Sequence, residues 1–351
     1  MPNTSAHLSS DSASGGSPET LPRVEHLPPP VAPQGPLLPF AAFMGMGAAV
    51  VNSPLDSGEV FWTGLGPHDT EMHARRDGYM IFRFDQTKEY AGGEVPGYQP
   101  MYGERWPSEY ERAQERRHSL AYRRFVYMNA FLTAFYSGMS VIQKTGGQVQ
   151  APINPSNYFR AAFIDGAWQV ASHVGQAAKS GPVRDIKAET LDHAVSVMTA
   201  CDRLFGEKGL RPLALIQVAC HQYALHQFDT AHLLAWSVIE QQLNLLWANY
   251  LNELSAGENS RTAINRKRRD LLTGRDYTAS MVSQMLSLAG KIDDSLLDAL
   301  NQARDKRNKF VHSLTQVNAH DAGKAIRTAT DFLSQIVGTK ITSQLALGFH
   351  I

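Results

Sequence analysis

The stretch TAHLLAWSVIEQQLNLLWANYLNE, residues 230–253, determines what the C-terminal half of this 351-residue chain can form. Its large apolar residues recur every three or four positions, as on one face of an α-helix, and they are Leu233, Trp236, Ile239, Leu243, Leu246 and Tyr250. Asp229, directly before the pattern, suits an N-cap. We therefore predict a long helix from Asp229 to about residue 254, with one face in a hydrophobic core.

Helical periods on both sides of this helix indicate a bundle. Before it, helices are expected over about 185–205 and 211–226, and Pro212 opens the second at its first turn. After it come TASMVSQMLSLAG, DDSLLDALNQARDKRNKFVH and AHDAGKAIRTATDFLSQIVG, the first ending at Gly290 and the last at Gly338. Residues 183–351 are accordingly predicted to form a helical domain.

The N-terminal half has a different pattern. The stretches AAFMGMGAAVV, EVFWTGL and GYMIFRFDQ predict short strands, and residues 108–144 predict a helix that begins near Pro107 and Ser108. Residues 145–182 are interpreted as loop and linker around a short element. We expect residues 39–182 to form a mixed domain of unknown role, which makes the whole chain α+β and predominantly α.

The first 38 residues are predicted to be a disordered tail. Nine of the chain's 18 prolines lie within the first 40 residues, among many Ser and Gly. Such a segment buries too little apolar surface to offset its ordering entropy. It contains no apolar run of the kind found in secretory signals.

One uncharged stretch raises the question of a membrane. FVYMNAFLTAFYSGMSVIQ, residues 125–143, is close to the length of a bilayer span. Its apolar residues follow one helical face, however, and Asn129, Thr133, Tyr136, Ser140 and Gln143 follow another. A two-faced helix of this kind is typical of the core of a soluble protein, so no membrane partner is expected.

Composition limits which partners, cellular compartments and cofactors are expected for this protein. The formal net charge is zero, so any anionic partner must be attracted by a local patch rather than by the whole chain. Two cysteines, Cys201 and Cys220, are too few for a disulfide framework and fit a cytoplasmic protein in which both are buried. His221, His226 and His232 lack the spacing of metal ligands, and neither a metal nor another cofactor is expected.

The order of four features carries a family resemblance. AWSVIEQQLNLLW, residues 235–247, places a Trp and a Glu on neighbouring turns of a helix, and a shorter helix follows a variable insert. A third helix ends in Arg307, Asn308 and, four residues later, His312. A fourth helix then packs alongside. In this order the features resemble the HEPN domain, an α-helical fold named for higher eukaryotes and prokaryotes nucleotide binding, over about residues 228–338.

The resemblance implies a function and a site. Many HEPN proteins are metal-independent ribonucleases, and many are homodimers in which two R-x-x-x-x-H motifs meet in one cleft. They act in toxin–antitoxin, CRISPR-linked and other antiviral defence systems and in RNA processing. Carried onto this sequence, the motif makes Arg307, Asn308 and His312 the expected catalytic residues. Leu314 stands where one subgroup has an adenylylated Tyr, which argues against that subgroup and its partner nucleotidyltransferase.

These residue types suit RNA cleavage without a metal. The reaction needs a base for the 2′-hydroxyl proton and an acid for the departing 5′-oxygen, and histidine, with an ordinary pKa near 6.5, serves both steps. The planar fork of Arg307 can bind two phosphate oxygens. Asn308 can orient the phosphate or His312 by hydrogen bonding.

The spacing of the motif complicates this assignment. In an ideal helix, residues five apart differ in direction by about 140°, so Arg307 and His312 do not share a face. Asn308 and His312, four apart, do. Three explanations remain open: the helix frays near Val311, the length of the Arg side chain compensates, or a second chain completes the site.

Other residues have competing interpretations. Glu240 is expected either to face Arg307 and hold it or to face solvent. The cluster Arg266, Lys267, Arg268 and Arg269 is expected either to bind RNA phosphates or to be a solvated run of charge.

The motif itself also has an alternative interpretation. Lys306, Arg307, Lys309 and His312 would complement the macrodipole at a helix C-terminus, whereas Phe310 and Val311 are expected in the core. The alternative to a ribonuclease is a non-catalytic module that binds a nucleotide, RNA or a protein, while the N-terminal region supplies the main function. A regulatory or antitoxin partner is considered alongside the ribonuclease.

Overall fold

A computed structural model describes residues 40–44, 59–76, 78–84, 108–144, 151–154, 159–164, 167–170, 186–256, 264–274, 278–343 and 345. Most of these residues are helical and a smaller share is in strands, which confirms the α+β class with α predominant. The predicted tail over residues 1–38 lies outside the described residues.

The strands form one antiparallel sheet in the order β2-β3-β4-β1-β5-β6. They are β1 (Phe40–Met44), β2 (Val60–Gly66), β3 (Thr70–Arg75), β4 (Tyr79–Arg83), β5 (Phe159–Ile164) and β6 (Ala167–Val170). The three strands expected from the sequence are present, although residues 45–51 of the first stretch lie outside the described residues. Strand β3 was not predicted, and β5 and β6 lie where a short element of unspecified type was expected between loop and linker.

Eight helices belong to the described part of the chain. They are α1 (Ser108–Val141), α2 (Ala188–Phe205), α3 (Arg211–Ala224), α4 (Phe228–Ala256), α5 (Arg266–Leu272), α6 (Ala279–Leu288), α7 (Asp294–Ser313) and α8 (Ala319–Val337). Their ends follow local chemistry: the Asp293 carboxylate accepts from the backbone N–H of Leu296, and Gly338 takes the left-handed conformation at φ 71°.

Helix α4, which contains the stretch quoted first, lies at the centre of the bundle and contacts α3, α6, α7 and α8. Trp236, Ile239 and Leu243 are buried as expected. The buried surface extends further around the helix than one stripe, because Ala231, Ala235, Val238 and Gln242 are buried as well. Asp229 lies inside the first turn, since the helix begins at Phe228.

The uncharged stretch at residues 125–143 includes the last part of α1, and residues 127–139 are buried on every side of the helix. The Asn129 amide donates to the carbonyl of Ile153 at 3.0 Å and accepts from the N–H of Ile153 at 2.7 Å. The Thr133 hydroxyl donates to the Leu213 carbonyl at 2.8 Å. The polar face predicted for this helix therefore holds neighbouring backbone segments. No helix among the described residues is both long and apolar enough to cross a bilayer.

A single hydrophobic core connects the sheet to the bundle. Phe82 of β4 packs edge-on against Phe131 of α1, with ring centroids 5.3 Å apart, and α1 in turn packs on α2 and α3. The Trp62 indole donates to the Asp192 carboxylate of α2 at 2.9 Å. The predicted boundary between residues 182 and 183 thus has extensive packing across it, and the division into two domains stays a prediction.

Candidate functional site

The Arg307, Asn308 and His312 motif lies in the last two turns of a continuous helix. Helix α7 runs through Ser313, and Leu314 ends it in the left-handed conformation at φ 51°. The Leu314 N–H donates to the Phe310 carbonyl at 2.9 Å, which closes the helix with a left-handed cap. Fraying near Val311, one of the three explanations for the spacing, is therefore wrong.

Arg307 and Asn308 are directly linked. A guanidinium N–H of Arg307 donates to the Asn308 side-chain oxygen at 3.1 Å, and both residues are half-buried. The acceptor is a neutral amide, so the positive charge of Arg307 is not cancelled by this contact. A guanidinium has five N–H donors, so the link leaves donors for an anion.

His312 is exposed and lies one turn beyond Asn308 on the same side of α7. Because the helix is regular, Arg307 points about 140° away from His312 around the axis. In a single chain, Asn308 and His312 therefore lie on the same side of α7, and Arg307 lies on a different side. The long Arg side chain and a second chain remain as explanations for the spacing.

A buried histidine on α4 contacts α7 one turn before the motif. His232 is 1% exposed, and its Nε2 lies 2.9 Å from the Ala303 carbonyl of α7. Ala303 is four residues before Arg307, so this carbonyl is also the regular helical acceptor for the Arg307 N–H. Burial lowers the pKa of His232, an effect that the nearby carbonyls and the Asp321 and Asp229 carboxylates oppose. The sequence did not indicate that His232 would lie beneath the motif.

The segment that connects α7 to α8 is held in place where α8 begins. The Asp229 carboxylate accepts from the N–H of Val317 at 2.6 Å, and the Asn318 side chain caps α8 through the N–H of Asp321. The Lys306 ammonium pairs with the Asp321 carboxylate at 2.7 Å. Lys306 is therefore committed to a structural ion pair.

The structure does not bring Glu240 to Arg307. Contacts between Asp229 and Val317 at one end and between Glu253 and Lys291 at the other show that α4 and α7 run antiparallel. Glu240 lies about 12 Å along α4 from His232, whereas Arg307 lies one turn beyond the His232 contact in the opposite direction. Glu240 is exposed, as the competing interpretation expected.

The basic cluster Arg266–Arg269 lies at the far end of α4 from the motif. It forms the first half of α5, where the Arg269 guanidinium donates to the Asn252 side chain at 2.6 Å. Asp229 lies at the end of α4 that is next to the motif. From Asp229 to Asn252 the helix advances 23 residues, which is about 35 Å. The two candidate RNA-contacting groups are thus brought to opposite ends of one helix.

Two apolar side chains next to the motif face solvent. Val311 is 44% exposed and Leu314 is 78% exposed, so the expectation of a core position for Val311 is wrong. Phe310 is half-buried against the core, in line with its prediction. Val311 lies one turn beyond Arg307, so the Arg307 side of the helix continues into an exposed apolar surface.

The remaining candidates give no further site. Cys201 and Cys220 are both buried, as expected, and burial raises the pKa of the Cys201 thiol to about 12. Among the described residues, no group of three His, Cys, Asp or Glu side chains is arranged to hold a metal ion. His221 is half-buried and His226 is exposed.

Comparison of the chain with protein-family models, with curated proteins and with solved structures gives no match.

Proposed function

We propose that this protein is a metal-independent endoribonuclease of the HEPN type. The observation that carries the proposal is the regular end of α7, where Arg307 is linked to Asn308 and the exposed His312 lies about one turn beyond Asn308. These residue types can supply the proton transfer and the positive charge that phosphodiester cleavage without a metal needs. The resemblance to HEPN proteins supports a role in a defence or toxin–antitoxin system.

Each residue has a distinct task in the proposed reaction. His312 takes the proton of the 2′-hydroxyl, which attacks the adjacent phosphorus, and the 5′-oxygen leaves with a proton from a second acid. The products are a 2′,3′-cyclic phosphate and a free 5′-hydroxyl. Arg307 holds the phosphate oxygens while negative charge builds on them. Asn308 keeps the guanidinium in place before the substrate arrives.

A second copy of the chain supplies the second acid in this proposal. Two facing motifs would contribute two His312 side chains, one for each proton transfer, and would bring the Arg307 of one chain to the His312 of the other. The exposure of Val311 and Leu314 supports such a contact, because burying exposed apolar surface beside the motif favours association.

The test is cleavage of RNA by highly purified protein in the presence of EDTA. Wild type is expected to cut and to leave cyclic phosphate ends, and Arg307→Ala is expected to be about a hundredfold slower because the charge on the phosphate is no longer stabilised. Lys309→Ala is the matched control, since Lys309 is an exposed cation two residues away. Equal rates for wild type and Arg307→Ala would disprove the proposal.

Mixing wild type with an inactive variant tests the shared site. A heterodimer of wild type with the His312→Ala chain keeps only one of the two His312 side chains that the proposed site needs. Cleavage per wild-type chain should therefore fall when wild type is mixed with an excess of His312→Ala and allowed to exchange subunits. Wild type at the same concentration without the variant provides the background. If cleavage per wild-type chain is unchanged although exchange is measured, each site belongs to one chain.

A non-catalytic binding module is the second candidate. The observation that favours it is the separation of about 140° between Arg307 and His312 in a regular helix, since a single chain does not direct both at one phosphate. Such a module would bind RNA through Arg307 without cutting it. Motif-dependent cleavage in the EDTA assay would eliminate this candidate.

A further inference from the structure

The basic cluster on α5 is fixed in position relative to the motif. The Trp247 indole donates to the Leu272 carbonyl at 2.9 Å, and Arg269 donates to Asn252, so both halves of α5 are tied to α4. The motif is tied to the other end of the same helix through His232 and Asp229. Helix α4 therefore acts as a rigid spacer between the two groups.

Three cations of the cluster are uncommitted. Arg266, Lys267 and Arg268 are exposed, and no carboxylate among the described residues lies within ion-pair distance of them. Elsewhere in the same part of the chain, cations such as Lys291 and Lys306 have a carboxylate partner. The three side chains are therefore available to an anionic ligand.

The cations also occupy an unfavourable place in their own helix. Arg266, Lys267 and Arg268 form the first turn of α5, where the partial positive charge of the helix N-terminus repels cations. The first turn of a helix normally prefers acidic side chains. Local helix stability therefore does not account for this charge run, and a bound anion would offset the repulsion.

The distance between the groups sets a minimum size for a ligand that touches both. Phosphates of a stacked strand advance by about 3.4 Å for each nucleotide. About ten nucleotides are needed to cover the roughly 35 Å between the ends of α4. A nucleotide, a dinucleotide or a short oligonucleotide reaches only one of the two groups.

We infer that the substrate is a long RNA that α5 anchors about ten nucleotides away from the bond cleaved at the motif of the same chain. This inference rests on the proposed ribonuclease function and specifies its substrate class. In this arrangement α5 supplies affinity through phosphates, independent of sequence, and the motif supplies the chemistry.

Binding of fluorescent RNA to the non-cleaving His312→Ala protein tests the inference without relying on cleavage. RNAs of about 6 and about 24 nucleotides are compared by anisotropy over a series of salt concentrations. We expect the long RNA to bind at least tenfold more tightly. Adding Arg266→Gln, Lys267→Gln and Arg268→Gln should remove that advantage and lower the slope of log affinity against log salt by about 2.

The matched control carries Arg203→Gln, Lys208→Gln and Arg211→Gln, which remove three exposed cations near the turn between α2 and α3. This control is expected to keep the preference for long RNA. Equal binding of both RNAs, or an equal loss in the control, would overturn the inference. Length-dependent binding together with a wild type that cuts no RNA would instead refute the ribonuclease while leaving the α5 anchor in place.

Discussion

His312→Ala is expected to slow RNA cleavage by about a thousandfold, since general acid–base catalysis contributes about 10²–10⁴ in rate. The side chain is exposed at the end of α7, so its removal exposes no core and should change stability by less than about 0.5 kcal/mol. The loss should therefore appear in the single-turnover rate of cleavage and not in the unfolding curve. Gel assays of end-labelled RNA measure the rate directly.

His320→Ala is the matched control for this effect. His320 is also exposed, and it lies in the first turn of α8, eight residues beyond His312. Its removal is expected to leave the rate unchanged. If His312→Ala cuts RNA as fast as wild type, His312 performs no proton transfer and the proposed mechanism fails; an equal loss in His320→Ala would indicate a general effect of the region instead.

Asn129→Leu is expected to lower the free energy of unfolding by about 3 kcal/mol. The side chain makes two hydrogen bonds to the backbone of Ile153, which is itself 3% exposed. Leucine would leave a buried N–H and a buried carbonyl without their partner, and each such group costs about 1–3 kcal/mol. Denaturation by urea, monitored by circular dichroism, measures the change.

Asn244→Leu makes the same chemical change at an exposed position of α4 and serves as the control. Its effect is expected to stay within about 0.5 kcal/mol. An unchanged stability in Asn129→Leu would show that the segment around Ile153 contributes nothing through these hydrogen bonds.

Helical periodicity predicts the bundle well because each helix buries a face large enough to impose a pattern on its sequence. The periods around α4, α7 and α8 and the stop at Gly338 are found close to their expected places. Strand β3 escaped prediction because TEMHAR mixes buried and polar side chains, and its His73 is buried in the sheet. Period-2 alternation does not identify such a strand.

Asn129 and Thr133 show a second limit of pattern analysis. Polar residues four apart within an apolar helix have the same appearance whether they face solvent or a neighbouring backbone. Their partners, at Ile153 and Leu213, are 24 and 80 residues away in the sequence. Only the packed structure shows that this face is buried.

In the candidate site, too, some features are predictable from the sequence and others depend on how the helices pack. Helical geometry alone predicts that Arg307 and His312 point in different directions, and the regular end of α7 agrees with it. The exposure of Val311 and the placement of His232 beneath Ala303 depend on how α7 meets α4. The 35 Å spacing depends on how α5 folds back onto α4, which no local pattern encodes.

The core shared between sheet and bundle bears on how this protein would respond to a protease. Helix α1 contacts the sheet through Phe131 and the bundle through Thr133, two residues apart. A single cut between residues 170 and 186 would leave two fragments that stay bound through this core. Limited proteolysis would thus yield a nicked complex, and the half that carries the motif would not be freed as an independent unit.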